Sequence, residues 1–128
     1  MKRGIRDQWS GIRDFAALVL GGLLGLAGCH SAHVDVAVEN RTGAAIRLLE
    51  VDYPSASFGA DGLASGATMH YRIQVLGSGP VKVQYGGEDG QQRQIQGPTL
   101  VEQQEGSLEI VLLPGGKAEF HPHLATEH

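Results

Sequence analysis

The sequence predicts an all-β domain, an antiparallel sandwich of about seven short strands, on three observations. Apolar and polar residues alternate with a period of two in several separate segments, turn signals recur about every 8–12 residues, and no stretch after residue 30 repeats apolar residues at helical spacing. Glycine supplies 19 of the 128 residues and proline 5, many of them between those segments, where chain reversal needs them.

The first strand is His33-Val34-Asp35-Val36-Ala37-Val38-Glu39, whose three valines share one face, and Asn40-Arg41-Thr42-Gly43 closes it as a turn. From Ala45 to Tyr53 the phase changes, with Ile46 and Leu48 on one parity and Leu49, Val51 and Tyr53 on the other. A bulge near Leu48 or Leu49 reconciles them. Residues 54–66 (PSASFGADGLASG) read as a solvated loop with at most one short strand, anchored inward by Phe58 and Leu63. Thr68 to Val75 alternates most cleanly and places Met69, Tyr71, Ile73 and Val75 inward. Gly77-Ser78-Gly79-Pro80 turns it into Val81–Tyr85, and Gly86-Gly87-Glu88-Asp89-Gly90 turns that strand into the polar segment Gln91–Gln96, an expected edge strand. Gly97-Pro98 interrupts the pattern before a short Thr99–Val101 pairing. Ser107–Leu113 is the last strong strand, and Lys117–Phe120 follows Pro114-Gly115-Gly116 as a final edge. An immunoglobulin-like or transthyretin-like sandwich fits this pattern, whereas a helical or α/β fold does not.

Charge and residue chemistry exclude more than they select. Four of the ten Lys and Arg and two of the fourteen Asp and Glu precede Cys29, leaving six against twelve and a net charge of −6. Nucleic acid is excluded as a partner, because no basic stripe is present to displace counterions from a phosphate backbone. None of Ser55, Ser57, Ser65, Ser78 and Ser107 lies in a G-x-S-x-G elbow, so a non-catalytic protein without a cofactor is expected. Glu88-Asp89-Gly90 lacks the oxygen spacing of a calcium loop and reads as a hairpin turn. Asp35 with Glu39, and Glu50 with Asp52, share a strand parity and are expected on solvated faces. His121-Pro122-His123 presents two imidazoles that suit zinc, copper or nickel, but two ligands do not close a site, and a polar tail accounts for the same residues.

The amino-terminal segment carries a different signal. Lys2, Arg3, Arg6 and Arg13 outweigh Asp7 and Asp14, giving the first fourteen residues a net charge of about +2. Phe15 to Ala27 then reads FAALVLGGLLGLA, within the 7–15 residues of an h-region and short of the roughly 20 that span a bilayer. Leu26-Ala27-Gly28-Cys29 ends this run, and Cys29 is the sole cysteine. The small residues at 27 and 28 let an extended backbone enter a peptidase cleft, and the thiolate of Cys29 is the side chain able to attack a lipid donor.

These residues resemble the lipobox of a bacterial lipoprotein signal peptide. The resemblance implies a diacylglyceryl thioether on Cys29, cleavage between Gly28 and Cys29, and a further palmitate-type chain on the new amino terminus. Two or three chains on one residue make the membrane anchor effectively permanent, where a single chain is marginal. In lipoproteins of bacteria with two membranes, an aspartate after the cysteine favours retention at the inner membrane. His30 stands there instead, which implies the outer membrane, facing the periplasm.

The domain organisation expected is a signal peptide at 1–28, a lipidated cysteine and tether at 29–32, the β-sandwich at 33–121, and a flexible tail at 122–128. A second resemblance covers much of the part after the lipobox. Val38-Glu39-Asn40-Arg41-Thr42-Gly43, Val51-Asp52-Tyr53-Pro54 and Ser57-Phe58-Gly59 are similar to small single-domain β-sandwich proteins of proteobacteria and acidobacteria. It implies a fold and no activity. The functional expectation is a lipid-anchored binding or structural module that meets another envelope protein through a sheet edge or the 54–66 segment. A metal- or small-ligand-binding lipoprotein using His121 and His123 is the alternative.

Overall fold

Period-two alternation matures into eight strands across residues 31–126, the part of the chain described by the computed structural model. They are β1 (Val34–Asn40), β2 (Ile46–Tyr53), β3 (Ala56–Leu63), β4 (Thr68–Ile73), β5 (Gly79–Gly86), β6 (Gln92–Leu100), β7 (Gln104–Leu113) and β8 (Lys117–Thr126). Two four-stranded sheets form, in the orders β4-β1-β7-β8 and β3-β2-β5-β6. Neighbours pair antiparallel except β1 and β7, which run parallel with Val36 opposite Leu108 and Val38 opposite Ile110. An immunoglobulin constant-type order would keep the first two strands in one sheet. Here β1 and β2 lie in different sheets, which rules that order out and leaves the transthyretin-like alternative.

The core lies between the inner faces of the sheets. Val34, Val36 and Val38 of β1 and Leu108, Ile110 and Leu112 of β7 meet Ile46, Leu49, Val51, Val81, Val83 and Tyr85 of the second sheet, all nearly inaccessible to solvent. The expected bulge is present. The register of β2 against β5 shifts between Arg47 and Glu50, and Leu48 takes a left-handed φ of 49°. One extra residue lets Ile46 and Leu49 both face inward despite their opposite parity, and it turns Leu48 out to solvent.

Ile110 sits on β7, paired on both sides, with no exposed surface. Ile110→Ala should therefore lower unfolding free energy by about 2–5 kcal/mol, the usual cost of a large-to-small change in a close-packed core. Urea titration followed by far-ultraviolet circular dichroism measures this; a loss under about 1 kcal/mol would mean that the site collapses around the gap.

Several expectations need correction. The eight strands agree with the about seven expected, but most of the segment 54–66, read as a loop with at most one short strand, is the full strand β3. Its small residues hide the pattern, yet backbone pairing requires no side chain, and β3 aligns with β2 as Val51 opposite Phe58 and Asp52 opposite Ser57. Phe58 and Leu63 are its inward anchors, as expected. β6 continues through Gly97-Pro98 to Leu100, because an edge strand tolerates a residue lacking an N–H. For the same reason β8 accommodates Pro122 and runs beyond Phe120 to Thr126, with Leu124 packed on the core, so residues 122–126 are sheet and not tail.

Tyr71, expected inside, is half exposed, because β4 is an edge strand and its inner face lies at the mouth of the sandwich. There its ring stacks on Phe58 with centroids 4.6 Å apart and 15° between planes. Phe120 of β8 lies at the other mouth, so close over Gly97 of β6 that a Cβ at position 97 would enter its ring.

Among the described residues one polar side chain, that of Asn40, is fully buried. Asn40 ends β1 on the inward parity and donates its amide to the carbonyls of Ala44 at 2.8 Å and Leu63 at 3.0 Å, with Ala64 at 3.2 Å. Its Oδ1 accepts from the backbone N–H of Thr42 at 3.0 Å and from the Thr42 hydroxyl at 2.7 Å. The predicted turn after β1 is thereby joined to the β3–β4 connection by one side chain. Every polar atom of Asn40 is satisfied, which offsets the desolvation of burying it.

Candidate functional site

The pairing register composes the outer face of the first sheet. Arg72, Asp35, Ser107 and His123 align as one row across β4, β1, β7 and β8, and His70, Ala37, Glu109 and His121 form the next. The small side chains of Ala37 and Ser107 lie between longer neighbours, leaving an open trough of about 550 Å³. Arg72 Nε donates to Asp35 Oδ1 at 3.0 Å at one side of it, both groups being about two-thirds exposed. Such a pair adds little stability, so its effect is to orient the guanidinium along the trough wall. His70, His123 and Ser107 add polar groups, and Glu109 adds a second carboxylate.

Both polar side chains and apolar surface line the trough. Ser107 and His123 are register partners, but among the described residues no hydrogen bond joins their side chains, the mark of an activated nucleophile. His121 faces the same side as His123 but contacts Glu119 at 3.3 Å. Among the described residues no group of three or more His, Cys, Asp or Glu side chains is arranged to hold a metal ion.

The carboxylates read as two pairs go to different sheets. Asp35 and Glu39 lie on the outer face of the first, where Glu39 accepts from Arg41 Nε at 2.8 Å and thereby raises the Arg41 guanidinium above its ordinary value. Glu50 and Asp52 lie on the outer face of the second, with Gln84 donating to Asp52 at 3.2 Å. The Glu50 carboxyl is raised above its usual range by its hydrogen bond to Asp52 and then by the charge of that neighbour. Opposite sheet faces prevent the four acids from acting together.

Glu88-Asp89-Gly90 is the hairpin turn expected, with Asp89 accepting from the Gln91 N–H at 3.0 Å and pairing with Arg93 at 3.2 Å. Gly28, Cys29, His30 and His128 lie outside the described residues. Sequence reasoning missed His70 and Arg72 as site residues. Their outward parity on the cleanest strand was visible, but nothing in the sequence tells which strand lies beside β4.

The described residues thus define a small eight-stranded β-sandwich with an open trough on one outer face. Among them no helix is long and apolar enough to cross a membrane. No protein-family model matches the chain, and no curated protein does. A solved NMR structure of a protein from Eubacterium rectale is similar to it, with a TM-score of 0.52 and 12% identity over 70% of this chain and 86% of that one. At this identity the likeness shows the fold alone.

Proposed function

We propose that the chain is a lipid-anchored protein of the cell envelope whose β-sandwich is a non-catalytic binding or structural module. The observation that carries this reading is Leu26-Ala27-Gly28-Cys29 behind an uncharged apolar run. The body of the protein supports it, because β1 begins at Val34, only five residues beyond Cys29, as suits a domain held close to its anchor. Where the source has two membranes, His30 favours the outer one, facing the periplasm. The partner is another envelope protein meeting the edge of the second sheet, where β3 pairs with β2 on one side only and carries little side-chain bulk at Ser57, Gly59 and Gly62.

Cys29→Ser should abolish lipidation, leave the precursor uncut after Gly28 and remove the acyl mass that mass spectrometry finds on the wild-type protein. An unmodified thiol in mature wild-type protein would refute the anchor. Crosslinking in intact cells from position 61 on β3 should recover one abundant partner, and recovery of monomer alone would sink the edge as the binding surface.

A second reading, a metal- or small-ligand-binding lipoprotein, is favoured by the position of His123 on β8, lining the same trough that His70 and Arg72 line from β4 on the opposite side of the sheet. Calorimetric titration of the purified protein with zinc and copper tests it for metals, and binding weaker than millimolar ends it for them.

A further inference from the structure

One end of the sandwich is unlike the other. At the end where the chain enters β1 lie the turn after β2 (residues 54–55), the loop after β4 (74–78) and the loop after β6 (101–103). They are tied together: the Leu76 N–H donates to Ser55 Oγ at 3.3 Å, Gln103 N–H to the Val75 carbonyl at 3.3 Å and Glu102 N–H to Ser78 Oγ at 3.2 Å. From this assembly Leu76 and Val101 project with 51% and 42% of their surface exposed. At the opposite end, the loops at 41–45, 64–67, 87–91 and 114–116 expose no large apolar side chain and contain Arg41, Glu88 and Asp89. The loops of the entry end contain one charge, Glu102.

The entry of the chain selects what covers Leu76 and Val101. Ala32 is already buried and the His33 carbonyl accepts from the Gly106 N–H at 3.1 Å, so the backbone is bound to the sandwich three residues after Cys29. Three residues reach at most about 11 Å, whereas the strands carry the opposite end about 25 Å further off. If Cys29 is lipidated, the reading on which this inference rests, the entry end is the surface held at the bilayer.

We propose that the entry end docks on the lipid surface, with Leu76 and Val101 seated among the headgroups and upper acyl chains. A net charge of −6 on the part from Cys29 onward opposes contact with anionic lipid, and the three entry-end loops meet that constraint by carrying one charged side chain, Glu102. Two apolar side chains are too few to bind a membrane alone; with the lipid chains bearing the attachment, they orient the domain. The trough on the first sheet then faces sideways, open to the aqueous phase.

The sole tryptophan is Trp9, before the lipobox, so cleaved protein offers a dark background for fluorescence. Leu76→Trp, Val101→Trp and, at the far end, Glu88→Trp are each purified as full mature protein, confirmed by mass spectrometry to carry acyl chains on Cys29, and reconstituted into phosphatidylethanolamine–phosphatidylglycerol vesicles. Emission from positions 76 and 101 should be blue-shifted and quenched by brominated lipid at least about twice as strongly as emission from position 88. Two entry-end positions guard against one variant failing to fold. Equal quenching at all three positions in acylated protein overturns the docking and leaves the anchor intact. Protein without acyl chains overturns the anchor, and the docking with it.

Discussion

Asn40→Ala should cost about 3–5 kcal/mol of stability, among the largest losses available to a single substitution outside the apolar core. The change deletes the amide donor to the part-buried carbonyls of Ala44, Leu63 and Ala64, of which Ala44 keeps the Thr42 hydroxyl at 2.9 Å, and the acceptor holding the Thr42 N–H and hydroxyl. Each buried group left without a partner costs about 1–3 kcal/mol, whereas the pairs themselves were worth less when made. Asn40→Asp separates chemistry from shape. It retains volume but sets a carboxylate against carbonyls at 2.8, 3.0 and 3.2 Å, so at neutral pH it should be the worse of the two. The folded state then favours the protonated acid, whose pKa is raised above the unfolded value of about 4, so stability of this variant is greatest below that value and falls as pH rises through the folded pKa. Urea midpoints for wild type, Asn40→Ala and Asn40→Asp between acid and neutral pH check both parts. An Asn40→Asp protein as stable as wild type at neutral pH would mean that the clasp is not as drawn.

Gly59→Ala should cost at least about 2 kcal/mol, by a mechanism unrelated to glycine's conformational freedom. A Cβ at position 59 would run into the carbonyl of Leu49 on β2, a backbone group with no rotamer to change. Glu50, the register partner of Gly59, marks where the β2 register shifts against β5, and Leu49 is the inward residue just before it. Either β3 separates from β2 or the bulge is lost; in both cases Phe58, two-fold anchored against Val51 and the Tyr71 ring, leaves its seat. Gly62→Ala is the control on the same strand, since its Cβ would lie 3.4 Å from the Ile46 carbonyl, an ordinary contact. Equal stabilities for the two variants would show that β3 yields freely.

Much of this architecture was legible in the chain. Val34, Val36 and Val38 announced one buried face, the phase change after Ile46 announced the bulge, and Glu88-Asp89-Gly90 announced a hairpin. Residues 54–66 were illegible as strand because a main chain pairs through N–H and C=O groups that every small residue possesses, leaving no side-chain period to read. His121-Pro122-His123 misled in the opposite direction: proline and polar residues suggested an end to structure, but an outer strand needs hydrogen bonds on one side only.

The amino-acid sequence by itself determined the class of fold and the inward residues of the main strands, because each depends on neighbours within a few positions. Tertiary structure alone decided which strands lie side by side, and with that everything assembled from distant segments: the parallel join of β1 to β7, the Asn40 clasp across two turns, the row of Arg72, Asp35, Ser107 and His123, and the gathering of Leu76 and Val101 at one end. Strand alternation specifies a face but not a partner, and partner choice follows from the summed packing of two sheets, a property of no local segment.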